Sequence, residues 1–225
     1  YVGCDMTSSA ICMDKYLAHE IVSSNGYLSP ISYLFNEKDS YEVIENKICN
    51  LHFPLFVKPL KAGSSFGITK INKIIELKEA LKKAFEYDNK VIIEENVDGF
   101  EVGCAVLGTD DLIIGEVDEI ELEDVFFDYY EKYNLKTSKI HLPARISKEE
   151  RNKIKDTALA IYKILGCSGF ARVDMFYTKS KKIVFNEVNT IPGCTSHSRY
   201  PSMLKEIGFS FEEVIERLIE SGWEK

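Results

Sequence analysis

The stretch 169–201, GFARVDMFYTKSKKIVFNEVNTIPGCTSHSRYP, limits the fold more than any other part of the chain. Two apolar runs, about 168–177 and 182–189, flank a short turn around Ser180, which predicts a pair of antiparallel strands. Asp174 interrupts the first run, and Glu187 and Asn189 end the second. Glu187 and Asn189 stand at i and i+2, so both point to one face, and Asp174 comes alongside. Buried carboxylates are costly unless something compensates their charge. Two carboxylates and an amide oxygen make a hard, oxygen-only set suited to Mg²⁺ held together with substrate phosphates. The alternative is strand-end carboxylates facing solvent or paired with lysine.

The 225 residues allow one large domain or two small ones, and 45% hydrophobic content is enough for real cores. A net charge of −8 argues against a nucleic-acid partner, which needs a basic face. No apolar run reaches membrane-span length and no signal peptide opens the chain. Six cysteines, at 4, 12, 49, 104, 167 and 194, include no CxxC pair and predict reduced thiols in a cytoplasmic protein. The opening YVGCDMTSSAICMDK lacks an initiator Met and starts on an apolar, strand-like piece, so a piece of something longer is expected.

Residues 14–25 have helical apolar spacing, with Gly26 as the stop. PLFVKPL reads as a buried strand, KAGSSFG as a loop, and ITKI as the partner strand of a hairpin. An amphipathic helix over IIELKEALKKAFEYD and a strand KVIIEENV follow. GFEVGCAVLG and DLIIGEVDEIEL predict an antiparallel pair. Residues 123–144 lack clear periodicity but carry five aromatics, which favours a functional loop. SKEERNKIKDTALAIYKILG is a strong helix, with Ser147 as N-cap and Glu150 three residues on. A C-terminal helix, SFEEVIERLIES, closes the chain. The predicted organisation is a linking segment over 1–14, a central unit over 15–99 and a C-terminal unit over 100–225 that carries the Asp174, Glu187 and Asn189 set.

Other candidates lie in the first half. Gly63, Ser64, Ser65 and Gly67 allow close backbone approach to phosphate oxygens, although no Walker Gly-Lys-Ser/Thr is present. Lys58 sits among apolar neighbours and wants an anionic partner; with Lys15 it would clamp nucleotide phosphates. Glu94 and Glu95 end a strand where a carboxylate and free backbone groups would read an adenine amino group and a ribose.

The order of these features resembles the ATP-grasp fold, and more narrowly the D-alanine–D-alanine ligases and their relatives. SSAICMDK, GFARVDMF and NEVNTIPGCTSHSRYP carry the resemblance, the last being similar to the family's Asn-x-x-Pro-Gly-x-Thr-x-x-Ser signature. It implies an α+β ATP-grasp fold and an ATP-dependent ligase acting through an acyl phosphate, with a cytoplasmic, homodimeric parent. It also implies that Lys15, Lys58, Glu94, Glu95, main chain near Val97, and Glu101 bind ATP. Ser64 and Ser65 would lie on the phosphate loop and Lys132 would reach the γ-phosphate. Asp174, Glu187 and Asn189 would hold two Mg²⁺, with Mn²⁺ as a substitute. Arg172 and the Gly193 N–H would stabilise the anion at the acyl centre, Ser198 would bind the second amino acid's carboxylate, and the 123–144 loop would close as a lid.

The chain departs from the family's pattern in places. Family members carry an N-terminal domain that supplies the first D-alanine's site, and none is expected here. Ala62 stands where many members have glutamate, and Cys194 where a bulky apolar residue is usual. Phe127 and Arg199 together resemble vancomycin-resistance D-alanine–D-serine ligases of the VanG type, while Tyr133 favours an amine over a hydroxy-acid nucleophile. Arginine offers donors that a serine hydroxyl accepts; the alternative is that Arg199 pairs with a neighbouring carboxylate. D-alanine and D-serine are thus the expected substrates, with ordinary D-alanine–D-alanine ligation, another carboxylate–amine pair, or a non-catalytic nucleotide-binding module as the competing readings.

Overall fold

The computed structural model describes residues 1–63, 65–122 and 138–223. Two helices come first, α1 (Met6–Met13) and α2 (Lys15–Ser24). The start is therefore helical, not strand-like. The Asp5 carboxylate accepts from the Ser8 N–H at 2.7 Å and caps α1, and Asp14 caps α2 in the same way through the Leu17 N–H. Gly26, at φ +86, then stops α2.

The first sheet is antiparallel, in the order β1 (Ser32–Asn36), β4 (Lys90–Glu95), β2 (Leu55–Pro59), β3 (Thr69–Ile71). Its core face follows the two-residue period. Leu55, Val57, Val91 and Ile93 pack under α3 (Tyr41–Ile48) and α4 (Leu77–Phe85), against Ile44, Ile48, Leu77 and Leu81. Each such fully buried side chain contributes about 1.5–3 kcal/mol. The same period turns Phe56, Lys58, Ile92 and Glu94 to the opposite face.

The second sheet runs β10 (Ile183–Asn189), β9 (Phe170–Thr178), β5 (Gly99–Leu107), β7 (Asp118–Leu122), β8 (Ser138–His141), with β6 (Ile113–Ile114) also on β5. Residues 138–141, which the sequence places in a long loop, form a strand instead. One face packs on α5 (Lys148–Ile164), whose capping box joins Ser147 and Glu150 as predicted. Val102, Cys104, Val173, Met175, Phe185 and Val188 meet Ile154, Ala158 and Ile161 there. Helix α2 adds Ala18 and Val22 to this core, although its sequence position places it with the first sheet. On the other face, Ala105 and Leu107 pack under α6 (Arg199–Lys205) and α7 (Phe211–Trp223). The remaining part of that face is left to Glu101, Gly103, Arg172 and Asp174. All six cysteines are free, and among the described residues no helix is long and apolar enough to cross a membrane.

Candidate active site

A cleft of about 470 Å³ lies between the two sheets, lined by Lys15, Lys58 and Glu94 on one side and by Glu101, Glu119 and Glu187 on the other. Phe56 stands opposite Glu94 across the β2–β4 ladder, and Lys58 is two residues along the same face. Lys58 therefore reaches Glu94, and the two form a buried ion pair. This is the anionic partner the sequence demands. The second oxygen of Glu94, Oε2, is buried with no hydrogen-bond partner among the described residues. Such an acceptor is suited to an amino group of a bound ligand. Glu95 accepts from the His52 N–H and ring Nδ1, at 2.8 and 2.9 Å, and Val97 lines the cleft beside it.

Lys15 Nζ donates to the Ala62 carbonyl at 2.7 Å. The residue that departs from the family's glutamate thus contributes its main chain, tying the Gly/Ser loop to α2. In that loop Ser65 has φ +59 and lines the cleft. Gly67 has φ +70, and a Cβ there would meet Pro59 and Tyr87 at 2.7 Å, so the loop's return needs glycine.

The oxygen-bearing set is assembled by an irregularity. Ile183 pairs with Tyr177 and Phe185 with Met175, but the next pairs are Glu187 with Asp174 and Asn189 with Arg172. Asn186 is the extra residue of a β-bulge. Phe185 and Val188, three apart, both enter the core, and Glu187 and Asn189 are returned to the cleft face. Arg172 forks onto Asp174, Nε at 2.8 Å and Nη2 at 2.7 Å, and Nη1 lies outside that fork. Burial alone would lower the Arg172 pKa, but the Asp174 charge outweighs it and holds the guanidinium firmly protonated. Asn189 Nδ2 donates to Asp174 Oδ2 at 2.8 Å, and its Oδ1 is the amide's acceptor. Two carboxylates and an amide oxygen, brought together by the register, suit Mg²⁺ or Mn²⁺.

Arg199, expected to offer donors to a substrate hydroxyl, lies in a buried charge cluster. Its Nε and Nη2 reach Asp118 at 2.7 and 2.8 Å, Nη1 reaches Glu101 at 3.1 Å, and Asp174 is 3.6 Å away. The carboxylate-pairing alternative is the arrangement found. Gly103 makes it fit: it pairs with Asp118 on one side and Asp174 on the other. A Cβ there would meet Arg199 Nη2 at 2.5 Å. Asp118 is not legible as a site residue in the sequence, because GEVDEIEL alternates acids on both faces. Around Asp174, the guanidinium groups of Arg172 and Arg199 meet the carboxylates of Asp174, Asp118 and Glu101.

Residues 30–220 match the family model described as D-ala D-ala ligase C-terminus. The chain belongs to the D-alanine–D-alanine ligase family. The crystal structure of VanG D-Ala:D-Ser ligase from Enterococcus faecalis is 59% identical with a TM-score of 0.91, covering 98% of this chain and 64% of that one. Vancomycin C-type resistance protein VanC2 of Enterococcus casseliflavus is 44% identical over 220 residues, 97% of this chain and 63% of the relative. A D-alanine–D-alanine ligase from Bacillus anthracis, complexed with ATP, is 29% identical with a TM-score of 0.84, covering 100% of this chain and 70% of that one. The two sheets facing across a cleft are the ATP-grasp fold of these ligases. The chain spans just under two thirds of the length of the curated relatives it matches.

In this family member the signature loop after β10 is compact. Ser198 Oγ accepts from the Thr195 N–H at 3.1 Å, and a Cβ on Gly193 would lie 3.1 Å from that oxygen. Gly193 and Ser198, predicted for the acyl centre and the carboxylate, are thus neighbours. Ser64, Phe127, Lys132 and Tyr133 lie outside the described residues.

Proposed function

We propose that the full-length parent of this chain is an ATP-dependent ligase that joins D-alanine to D-serine and so supplies altered, vancomycin-resistant peptidoglycan precursors. The observation that carries the ATP-dependent reading is the facing of Lys15 and Lys58 with Glu187 across one cleft. Cations suit nucleotide phosphates, and the Asp174, Glu187 and Asn189 oxygens suit the accompanying metal. The 59% identity to VanG D-Ala:D-Ser ligase supports D-serine as the second substrate.

In the first step a D-alanine carboxylate oxygen attacks the γ-phosphorus of ATP; the bond to ADP breaks and D-alanyl phosphate forms. Lys15, Lys58 and Lys132 hold the phosphates, Glu94, Glu95, Val97 and Glu101 the nucleoside, and Ser64 and Ser65 the loop over them. Asp174, Glu187 and Asn189 would hold Mg²⁺, which when bound neutralises phosphate charge as it shifts to the leaving ADP. In the second step the D-serine amine attacks the acyl carbon. The oxyanion lies against Arg172 and the Gly193 N–H. It collapses as the carbon–oxygen bond to phosphate breaks, and the proton shed by the amine goes to the departing phosphate. Ser198 binds the incoming carboxylate. Arg199, held by Asp118, shapes that pocket together with Phe127 and Tyr133, on a loop that excludes water.

In this reading the first sheet with α3 and α4 is one half of the nucleotide clamp, and the second sheet, with which 1–24 packs, is the other; a further domain of the parent supplies the first D-alanine's pocket. The parent is cytoplasmic and homodimeric. ADP release by the full-length parent with D-alanine alone, then with D-serine added, tests the proposal. No D-alanine-dependent ADP release would leave a nucleotide-binding module instead.

A further inference from the structure

His19 is 2% exposed, and neither the nucleotide clamp nor the acyl chemistry uses it. It lies one turn beyond Lys15 on α2, and its ring stands edge-on to Phe185, with centroids 5.6 Å apart. Its Nε2 is 2.8 Å from the Asn186 carbonyl oxygen. A carbonyl only accepts, so Nε2 carries the hydrogen. Burial holds the ring's pKa down, although the Glu94 charge opposes this, and the neutral Nε2–H form results. Nδ1 has no hydrogen-bond partner among the described residues.

Asn186 is the bulged residue of β10, and a bulge takes one residue out of the ladder. Its backbone groups then need partners from elsewhere. The Leu28 carbonyl accepts the Phe185 N–H at 2.8 Å, just before the bulge, and His19 donates to Asn186 at the bulge itself. Without the bulge, Asn186 would stand across from Asp174 and Glu187 would turn to the core face, because a one-residue slip exchanges the two faces of a strand.

We infer that His19 is a positioning residue for the metal site: its Nε2–H holds the Asn186 bulge, and the bulge places Glu187 opposite Asp174. The inference rests on the metal-binding reading of Asp174, Glu187 and Asn189. It assigns a buried side chain beneath the site to the geometry of ligands it does not touch.

The test uses the full-length parent with ADP and Mn²⁺, reading free Mn²⁺ by electron paramagnetic resonance and, separately, the melting temperature. Three variants share the position. His19→Ala removes the donor. His19→Gln sets an amide nitrogen where Nε2 lies, and His19→Asn sets one where Nδ1 lies, out of reach of the carbonyl. His19→Ala and His19→Asn are expected to weaken Mn²⁺ binding by roughly 10–100-fold, as supporting-shell losses do. His19→Gln is expected to restore most of it, and KM for ATP at saturating metal should change by less than about twofold in all three. Wild-type Mn²⁺ affinity in His19→Asn, or equal loss in His19→Gln and His19→Asn, would overturn the inference. Glu187→Gln serves as the separate control: if it binds Mn²⁺ as tightly as wild type, the metal reading itself fails.

Discussion

Glu187 stands directly across from Asp174 in the β9–β10 ladder, one residue out of the register that Ile183 and Tyr177 set. That single offset puts Glu187 on the cleft face beside Asp174 while Phe185 and Val188 stay in the core. Replacing Glu187 by Gln keeps shape and removes a ligand charge. In the full-length parent, Mg²⁺-dependent turnover is expected to fall about 10²–10³-fold. The melting temperature should hardly move. A kcat unchanged across a magnesium titration would contradict the assignment.

Arg199 is the centre of a buried charge cluster, and its removal strands Asp118 beneath α6. Burial disfavours the guanidinium charge, but Asp118 and then Asp174 hold its pKa well above the ordinary value. Arg199→Leu is expected to cost about 3–5 kcal/mol in urea unfolding, the scale for breaking one side of a buried pair. Adding Asp118→Asn should recover part of the loss, and the product ratio should shift toward D-alanyl-D-alanine in both. Stability within error of wild type for the single variant would show that the cluster is not coupled as described.

Much of this arrangement is legible in the sequence because local signals agree with the fold. Ser147 and Glu150 announce α5, and the apolar runs in PLFVKPL and KVIIEENV announce the strands that carry Lys58 and Glu94, while their common face follows only from the β2–β4 register. Other parts depend on contacts distant in sequence. Helix α1 has no clear apolar period and is fixed by the Asp5 cap and by Cys12 in the second core. The Asn186 bulge carries no glycine or proline to mark it; its donor, His19, is 167 residues away. Arg199 reads as available because its partners lie on β5 and β7, which meet it only when the sheet forms.

Glu150 gives the stability of the C-terminal unit an acid limit. Hydrogen bonds from Lys181, the Ser147 N–H and the Tyr177 hydroxyl hold its carboxyl down at about 2, against an ordinary 4.5. A depressed carboxylate stabilises the fold above its unfolded pKa and loses that contribution as pH falls through the folded value. Wild type is therefore expected to lose stability between about pH 4.5 and 2 through this group. Glu150→Gln should be less stable at neutral pH and show a flatter acid limb. Parallel acid curves for the two proteins would exclude the effect.

The most direct measurement is a competition. Full-length parent, ATP, Mg²⁺ and D-alanine are mixed with equal concentrations of D-serine and D-alanine as second substrates, and the dipeptides are counted by mass spectrometry alongside ADP. The predicted result is ADP release in step with dipeptide, with D-alanyl-D-serine in excess. D-alanyl-D-alanine in equal or greater yield would contradict the D-serine assignment, and ADP release without dipeptide would contradict ligation itself.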